Sequence, residues 1–370
     1  MKKLLLVLFL ICLGCTKEKK YDNPIEFALS ADTDKIQNVM KNLRAHEVQI
    51  MVTDAEGNTF DFQLNAFNYF YPASSVKFPI ALLALEKANK IPLITSETPF
   101  SIEGDSIQTT IRKEVQKIFA VSNNEAYNRL FEFLRKDNIN TSLHRKSYIL
   151  TRISHRLSTS NPASIFSKAI MFTKNDSIVY RQRKVKNRLI DSLDLKRTYK
   201  GKSFYRNDSL IEHPMDFSKK NYIPLQTLHQ LMYRFHHTKS QRKETVFNLS
   251  EKDRDFVLEV MHKTPKQLGF NDPEYYDSYV KFFMFGDSKE PMPAHIKIYN
   301  KVGYAYGYLT DCAHIVDTKN NISFTITATI HVNKNQIFND DTYEYDEIGI
   351  PFLAELGRQI HTFYIQQQKN

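Results

Sequence analysis

Strand-like segments stand at both ends of this chain, and the long stretch between them is mainly helical in pattern. Residues 48–52 and 59–64 read as strands near the start, and 307–316 and 322–332 read as strands near the end. A sheet made from these segments must bring the two ends of the chain together and leave the middle as an insertion. The sequence therefore predicts an α/β fold of the α+β type, with an all-helical domain inserted into it.

Shorter patterns place the remaining elements. Apolar spacing predicts helices, and Gly, Asn and Asp between short alternating runs predict hairpin turns. The expected helices cover 25–45, 76–88, 225–235, 251–262 (with Ser250 as N-cap) and 351–366, and hairpins are expected around 54–58 and 174–176. We expect 25–73 and 296–370 to form the sheet-bearing part, and 74–295 to form the helical part.

The first residues have the pattern of an export signal. Lys2 and Lys3 precede an apolar run over 4–13, which is too short to span a membrane and is typical of a signal peptide. The run ends in Cys-Leu-Gly-Cys at 12–15, which resembles the lipobox of bacterial lipoproteins. We expect 1–14 to be removed, Cys15 to carry the lipid and 15–24 to be a tether. The alternative is an ordinary signal peptide cut elsewhere.

Cysteine content limits what else can stabilise the chain. If Cys12 is removed and Cys15 is lipidated, Cys312 is the only thiol left. An internal disulfide is then excluded, and no Cys/His pattern suggests a metal site or a cofactor. We expect a monomer stabilised by its apolar core.

The positive charge is concentrated in one segment. The whole chain carries a formal net charge of +10, and 181–206 holds ten Lys or Arg against two Asp. A solvated basic face is one interpretation, and contact with anionic lipid or an anionic envelope polymer is the other. Nucleic acid is not an expected partner of an exported, anchored chain.

A Ser-x-x-Lys pattern stands immediately before the most apolar helix. Ser74 and Lys77 lie three residues apart at a helix start, so the amine and the hydroxyl share one face. Burial of the lysine would favour its neutral form, which can accept a proton from the serine. The same pattern occurs at Ser240 and Ser278, and a helix-capping serine is the structural alternative for any one of the three.

Two further short patterns follow in the chain. Ser122-Asn-Asn124 is its only Ser-x-Asn sequence, and Lys301-Val-Gly303 is its only Lys-x-Gly sequence, in a chain with just 10 glycines. A serine hydroxyl can relay a proton and an asparagine amide can bind a carbonyl. Glycine beside lysine on an edge strand lets a substrate backbone approach an ammonium group. Taken singly, the alternatives are a capped helix and a basic turn.

In this order, the three patterns resemble the Ser-x-x-Lys, Ser-Asp-Asn and Lys-Thr-Gly motifs of class A β-lactamases and penicillin-binding proteins. The similarity extends over about 25–135 and 220–370, with an insertion at about 140–215. The resemblance implies a β-lactamase/transpeptidase-like fold, in which N- and C-terminal helices flank an antiparallel sheet.

The resemblance also implies a role for each matching residue. Ser74 would be the acylated nucleophile and Lys77 its base. Ser122 would pass a proton to the leaving nitrogen, and Asn124 would hold Lys77 and the substrate amide.

The third motif would bind the substrate. Lys301 would attract its carboxylate, and Gly303 would allow its approach. The backbone N–H groups of Ser74 and Tyr304 would form the oxyanion hole, in which one donor is worth about 3 kcal/mol.

The chain departs from the family pattern in ways that matter for turnover. Asn123 replaces Asp, Val302 replaces Thr, and the Glu-x-x-Leu-Asn loop that activates the deacylating water is missing. The stretch where that Glu is expected, 151–161, holds no carboxylate, and Glu212 is a poor substitute.

The leading hypothesis is an exported, lipid-anchored serine hydrolase of the class A β-lactamase type, located in the cell envelope. A penicillin-interacting or peptidoglycan-directed acyltransferase and a non-catalytic envelope binding protein are the alternatives.

Overall fold

The structure is a computed structural model that describes residues 21–238 and 241–369. The expected signal peptide, the lipidated Cys15 and most of the tether lie outside these residues. The serine of the second Ser-x-x-Lys pattern, Ser240, also lies outside them.

The helices and strands alternate irregularly along the chain. The helices are α1 Pro24–Leu29, α2 Asp34–Met40, α3 Leu43–His46, α4 Lys77–Asn89, α5 Ile111–Val121, α6 Asn124–Leu134, α7 Lys136–Arg145, α8 Leu225–His236, α9 Glu251–His262 and α10 Ile350–Gln367. The longer strands are β1 Gln49–Thr53, β2 Thr59–Phe62, β5 Ile170–Lys174, β6 Ser177–Gln182, β9 Ser203–Arg206, β12 Ile296–Ala305, β13 Tyr308–Asp317 and β14 Ile322–His331. The shorter strands are β3 Phe100–Ile102, β4 Phe166–Ser167, β7 Val185–Lys186, β8 Tyr199–Lys200, β10 Ser209–Ile211, β11 Met215–Asp216 and β15 Ile337–Phe338.

One five-stranded antiparallel sheet joins the two ends of the chain. Its strand order is β12-β13-β14-β1-β2, and β1 pairs with β14 so that Gln49 lies opposite Thr329. The expected fold class is therefore confirmed. Strand β12 lies at the edge of the sheet, where its free side is available to another element.

Helices cover both faces of this sheet. α1, α2 and α10 pack on one face, around apolar side chains such as Ile326 and Phe352. α8 and α9 pack on the other, and the side chain of His229 on α8 hydrogen-bonds Thr53 and Thr327 at 2.8 and 3.1 Å. The alternation of apolar and polar residues along β14 follows from these two different layers.

The helical part is organised around α4. Most of its side chains are buried, and α5, α6 and α7 pack against it. The N-terminal end of α4, which begins at Lys77, lies close to β12, because the 3₁₀ turn Ala73–Val76 that precedes the helix contacts that strand.

The inserted part is not all helical. The hairpin β5–β6 pairs with β3, and β9 pairs in parallel with β15, where Phe204 lies opposite Phe338. Parts of the basic segment are anchored as well, since Lys200 is buried and forms a 2.7 Å ion pair with Glu47. The segment is thus partly embedded in the fold.

No helix in residues 21–238 or 241–369 combines the length and the apolar character that crossing a membrane requires.

Candidate active site

Ser74 lies on a tight turn between Pro72 and α4. Ala73 has a positive φ of 45°, and the side chain of Ser75 donates a 2.6 Å hydrogen bond to the Pro72 carbonyl oxygen. A backbone in this region persists only when its surroundings hold it there. Ser74 itself is half-buried, so its hydroxyl is held on a rigid turn at the start of a buried helix.

The Lys77 side chain is fully buried beside two residues of the second motif. Its Nζ donates to Asn124 Oδ1 at 2.7 Å, to the Ser122 carbonyl oxygen, and more weakly to Ser122 Oγ at 3.3 Å. Burial lowers the pKa of Lys77 well below its usual range; nearby Lys301 lowers it further, and Glu125 opposes both. A neutral amine is thereby favoured at this position, and a neutral amine can accept a proton. Among the described residues, no hydrogen bond joins Lys77 to Ser74.

The loop between α5 and α6 directs Ser122 and Asn124 inward. Ser122 has a left-handed backbone with φ 52°, and Asn123 caps α6 by accepting a 2.8 Å hydrogen bond from the Ala126 amide. The capping function predicted as the alternative for this motif thus belongs to Asn123. Ser122 and Asn124 remain free to face Lys77.

The third motif lies on the edge strand β12. Lys301 is buried, and its Nζ donates 2.8 Å hydrogen bonds to Ser122 Oγ and to the Val302 carbonyl oxygen. Burial lowers the pKa of Lys301 to about 7; the buried carboxylate of Asp311 opposes this, and the ammonium of Lys281 adds to it. Lys301 and Lys77 therefore reach the same hydroxyl from two sides.

Gly303 sets the distance between β12 and the Ser74 turn. A Cβ at this residue would lie 2.5 Å from the Pro72 carbonyl oxygen and 2.9 Å from the Ser74 amide nitrogen. Only glycine allows the strand to approach this closely. The next residue, Tyr304, is 53% exposed, and its ring packs against Phe282 and Tyr345. Its role as an oxyanion-hole donor stays a prediction.

Ser158 is a site residue that the sequence did not single out. Asn124 uses its Nδ2 to donate a 2.9 Å hydrogen bond to Ser158 Oγ, while its Oδ1 accepts from Lys77. The loop that carries Ser158 is anchored by a 2.6 Å ion pair between Arg156 and Glu132, both buried. The stretch predicted to lack a water-activating carboxylate thus contacts the site through Ser158, which is exposed and is connected to Lys77 by way of Asn124. Its only signal in the sequence was its place in the chain.

Among the described residues, the others that the sequence offered as catalytic candidates form no hydrogen bond with Lys77, Ser122 or Lys301. Glu212 is exposed just after β10 and, within the described residues, forms no hydrogen bond or ion pair with Ser74, Lys77 or Ser122. Ser278 donates to the Ser288 carbonyl oxygen, and Lys281 binds Asn300 Oδ1 at 2.8 Å. The third Ser-x-x-Lys pattern is therefore structural. Nowhere in the described ranges do three His, Cys, Asp or Glu side chains gather so as to hold a metal ion.

Comparisons with known proteins agree with this fold. Residues 32–364 match the model of a family described as the β-lactamase enzyme family. The structure of PBP-A has a TM-score of 0.52 at 13% identity, over 93% of this chain and 96% of that one. A β-lactamase from Sphaerobacter thermophilus gives 0.51 at 14% identity, over 92% and 95%, and one from Chitinophaga pinensis gives 0.51 at 12%, over 91% and 100%. These structures share the fold. A comparison with curated proteins gave no significant match.

Proposed function

Because this chain belongs to the β-lactamase enzyme family and is a serine hydrolase of the β-lactamase type, we propose that Ser74 is its nucleophile and that it acts on β-lactams or related amides and esters. We further propose that it follows the class A mechanism and releases its acyl-enzyme slowly. The observation that carries the proposal is the sharing of one hydroxyl, Ser122 Oγ, between Lys77 and Lys301.

Acylation needs one proton to leave the nucleophile and one to reach the leaving nitrogen. Neutral Lys77 would take the Ser74 proton as Ser74 Oγ bonds to the substrate carbonyl carbon. The C–N bond then breaks, and Ser122 would give its proton to the nitrogen and recover one from Lys77. The hydrogen bond from Lys77 Nζ to Ser122 Oγ provides the path for this return.

Lys301 would hold the substrate carboxylate as long as its own side chain is protonated. Val302 lacks the hydroxyl found in the family motif, so one hydrogen bond to that carboxylate is lost. Affinity would then depend on the Lys301 charge and on the Asn124 amide. We expect weaker binding of simple penicillins than a Lys-Thr-Gly sequence would give.

The second candidate function is a penicillin-interacting or peptidoglycan-directed acyltransferase. It is favoured by Ser158, because the stretch in which the resemblance leads us to expect the water-activating Glu contacts Asn124 through a hydroxyl instead. A site without that base forms an acyl-enzyme and keeps it, or passes the acyl group to another nucleophile. A non-catalytic binding protein is less well supported, because the chain keeps Ser74 and a cluster in which the buried Lys77 and Lys301 both contact Ser122.

Time-resolved intact mass separates these functions. The protein is incubated with a penicillin or a cephalosporin, and the mass is followed from seconds to hours. A stable adduct of one equivalent indicates slow deacylation, whereas substrate loss without an adduct indicates rapid turnover. Ser74→Ala should abolish the adduct, and Ser278→Ala, the serine of the structural Ser-x-x-Lys pattern, should retain it. An adduct that survives Ser74→Ala would refute the nucleophile assignment.

We also propose that the protein is a monomer anchored by lipid at Cys15 in the cell envelope, where hydrolysis of a β-lactam would contribute to resistance. The support is the apolar run over 4–13 followed by Gly14-Cys15. Cys15→Ala should stop lipid attachment and leave a larger precursor, measured by detergent partitioning and mass. Normal processing with retained lipid would contradict the anchor. Contact between 181–206 and an anionic envelope polymer stays part of this proposal.

A further inference from the structure

A pocket of about 690 Å³ lies beside the candidate catalytic residues, and the insertion forms part of its wall. Thr159, the neighbour of Ser158, lines one side. Tyr306, two residues beyond Tyr304, lines another, and the hairpin β9–β10 lines a third. Thr159 follows Ser158, which binds Asn124, and the Tyr306 ring packs against Tyr71, three residues before Ser74. Two of the lining residues thus connect the pocket with the candidate site.

Tyr306, which lines this pocket, packs against a cluster of buried aromatic rings. The Tyr306 ring packs edge-on against Tyr71, with centroids 5.0 Å apart, and against Phe217, with centroids 5.3 Å apart. Phe217 in turn packs against Phe338 at 5.3 Å. Tyr71 stands three residues before Ser74, so the rings connect the nucleophile's turn with the residues that follow the insertion. A flat apolar group would fit against the Tyr306 ring, which these neighbouring rings support.

Lys220 supplies the charge that is least exposed to solvent among those lining the pocket. Its Nζ lies 3.3 Å from the Tyr306 hydroxyl and 5.1 Å from the centre of the Tyr306 ring. It is half-buried and, within the described residues, has no carboxylate partner. Arg206, Asp208 and Asp216 also line the pocket, but all three are exposed. An anion placed here would therefore interact mainly with Lys220, over rings that exclude water.

We infer that this pocket receives the acyl side group of the substrate, and that Lys220 selects side groups that carry a carboxylate or another anion on an aromatic or apolar body. The inference rests on the proposed acylation of Ser74. It assigns to the region of the insertion a role in choosing the substrate, which the sequence-based interpretation of a basic surface segment did not contain.

Two penicillins that differ by a single carboxylate provide the test. Benzylpenicillin and its α-carboxy derivative, carbenicillin, share the ring system and the aromatic side group. The acylation rate constant per unit concentration is measured for each by intact mass, at fixed ionic strength. We expect the wild type to prefer the carboxylated compound and Lys220→Met to reduce that preference roughly tenfold, the scale of one hydrogen bond to a charged group. Lys219→Met, which changes the exposed neighbouring lysine outside the pocket, should keep the preference.

Charge and packing are separated by two more variants. Lys220→Arg should retain the preference, and Lys220→Glu should reverse it. An unchanged ratio of the two rate constants in Lys220→Met, or an equal loss for both penicillins, would overturn the inference while leaving acylation of Ser74 intact. Failure of the folded wild type to be acylated by either penicillin would refute the proposed function and, with it, the inference.

Discussion

Ser158→Glu tests whether a single missing carboxylate limits turnover. Ser158 Oγ lies 2.9 Å from Asn124 Nδ2, and Asn124 Oδ1 lies 2.7 Å from Lys77 Nζ. Glutamate extends the side chain by two further carbon–carbon bonds of about 1.5 Å each. We expect the new carboxylate to extend past the Asn124 amide toward Lys77 and the acylated serine, where the hydrolytic water must attack.

The size of the effect follows from the role that the carboxylate would take. A positioned general base contributes about 10²- to 10⁴-fold to a hydrolytic step. The introduced side chain is flexible and exposed at its base, so we expect the lower end, about a 10²-fold faster deacylation. The carboxylate would also stabilise the charged form of Lys77 and raise its pKa. Acylation at low pH should therefore become slower as deacylation becomes faster.

The assay is the decay of the penicilloyl adduct after excess penicillin has been removed, followed by intact mass. Ser158→Gln has the same shape without the base, and Ser160→Glu places the same charge two residues away on the exposed part of the loop. Both controls should keep the slow decay of the wild type.

Two results would refute the reasoning. If the wild type already deacylates rapidly, another group activates water and Ser158 is not the limiting position. If Ser158→Glu and Ser158→Gln decay at the same slow rate while both remain folded and acylated, a side chain at residue 158 does not reach the acyl carbon as we expect.

Further changes probe the strand, the loop and the buried lysines. Gly303→Ala puts a methyl group 2.9 Å from the nucleophile's amide nitrogen, so acylation followed by mass should fall about 10²-fold, the cost of displacing a site by about 1 Å. Arg156→Met leaves Glu132 buried without its partner, and urea unfolding should show a loss of about 3–5 kcal/mol. Since the pKa of Lys301 is about 7, it is charged below that pH, and kcat/KM for carboxylated substrates should fall as the pH rises through 7. Burial lowers the pKa of Lys281 to about 7, so between pH 7 and 10 the unfolded chain binds one proton more than the folded chain. The free energy of unfolding should therefore rise with pH in this range, and Lys281→Met should remove a slope of up to about 1.4 kcal/mol per pH unit.

Local signals were sufficient wherever an element is fixed by its own residues. Helix α9 covers 251–262 as its spacing predicts, and Ser250 caps it by accepting from the Asp253 amide at 3.1 Å. The expected hairpin around 174–176 is present as β5 and β6. The opening helix is instead broken into α1, α2 and α3, because Ser30–Thr33 and Lys41–Asn42 interrupt it, although the apolar spacing continues across the breaks.

Elements fixed by distant partners escaped prediction. Phe338 belongs to the two-residue strand β15, which pairs with Phe204 of β9, more than 130 residues earlier, and two residues have no readable period. The same holds in the site. Lys77, Ser122, Asn124 and Lys301 were recognisable because their motifs are short and ordered, and the structure brings them together. Ser158 and Lys220 belong to no motif, and only the folded chain places them next to the others.

The order of strands in the central sheet also determines when Ser74 meets the other residues of the candidate site. Strand β1, which precedes Ser74, pairs with β14, and the Ser74 turn contacts β12, so its partners lie more than 200 residues further along the chain. Contacts of such high sequence separation form late, because a long loop must close before they contribute. A nascent chain of which only the first two thirds has been made contains Ser74 but neither Lys301 nor Gly303. Under the proposed mechanism, acylation of Ser74 would therefore begin only when the last strands are in place.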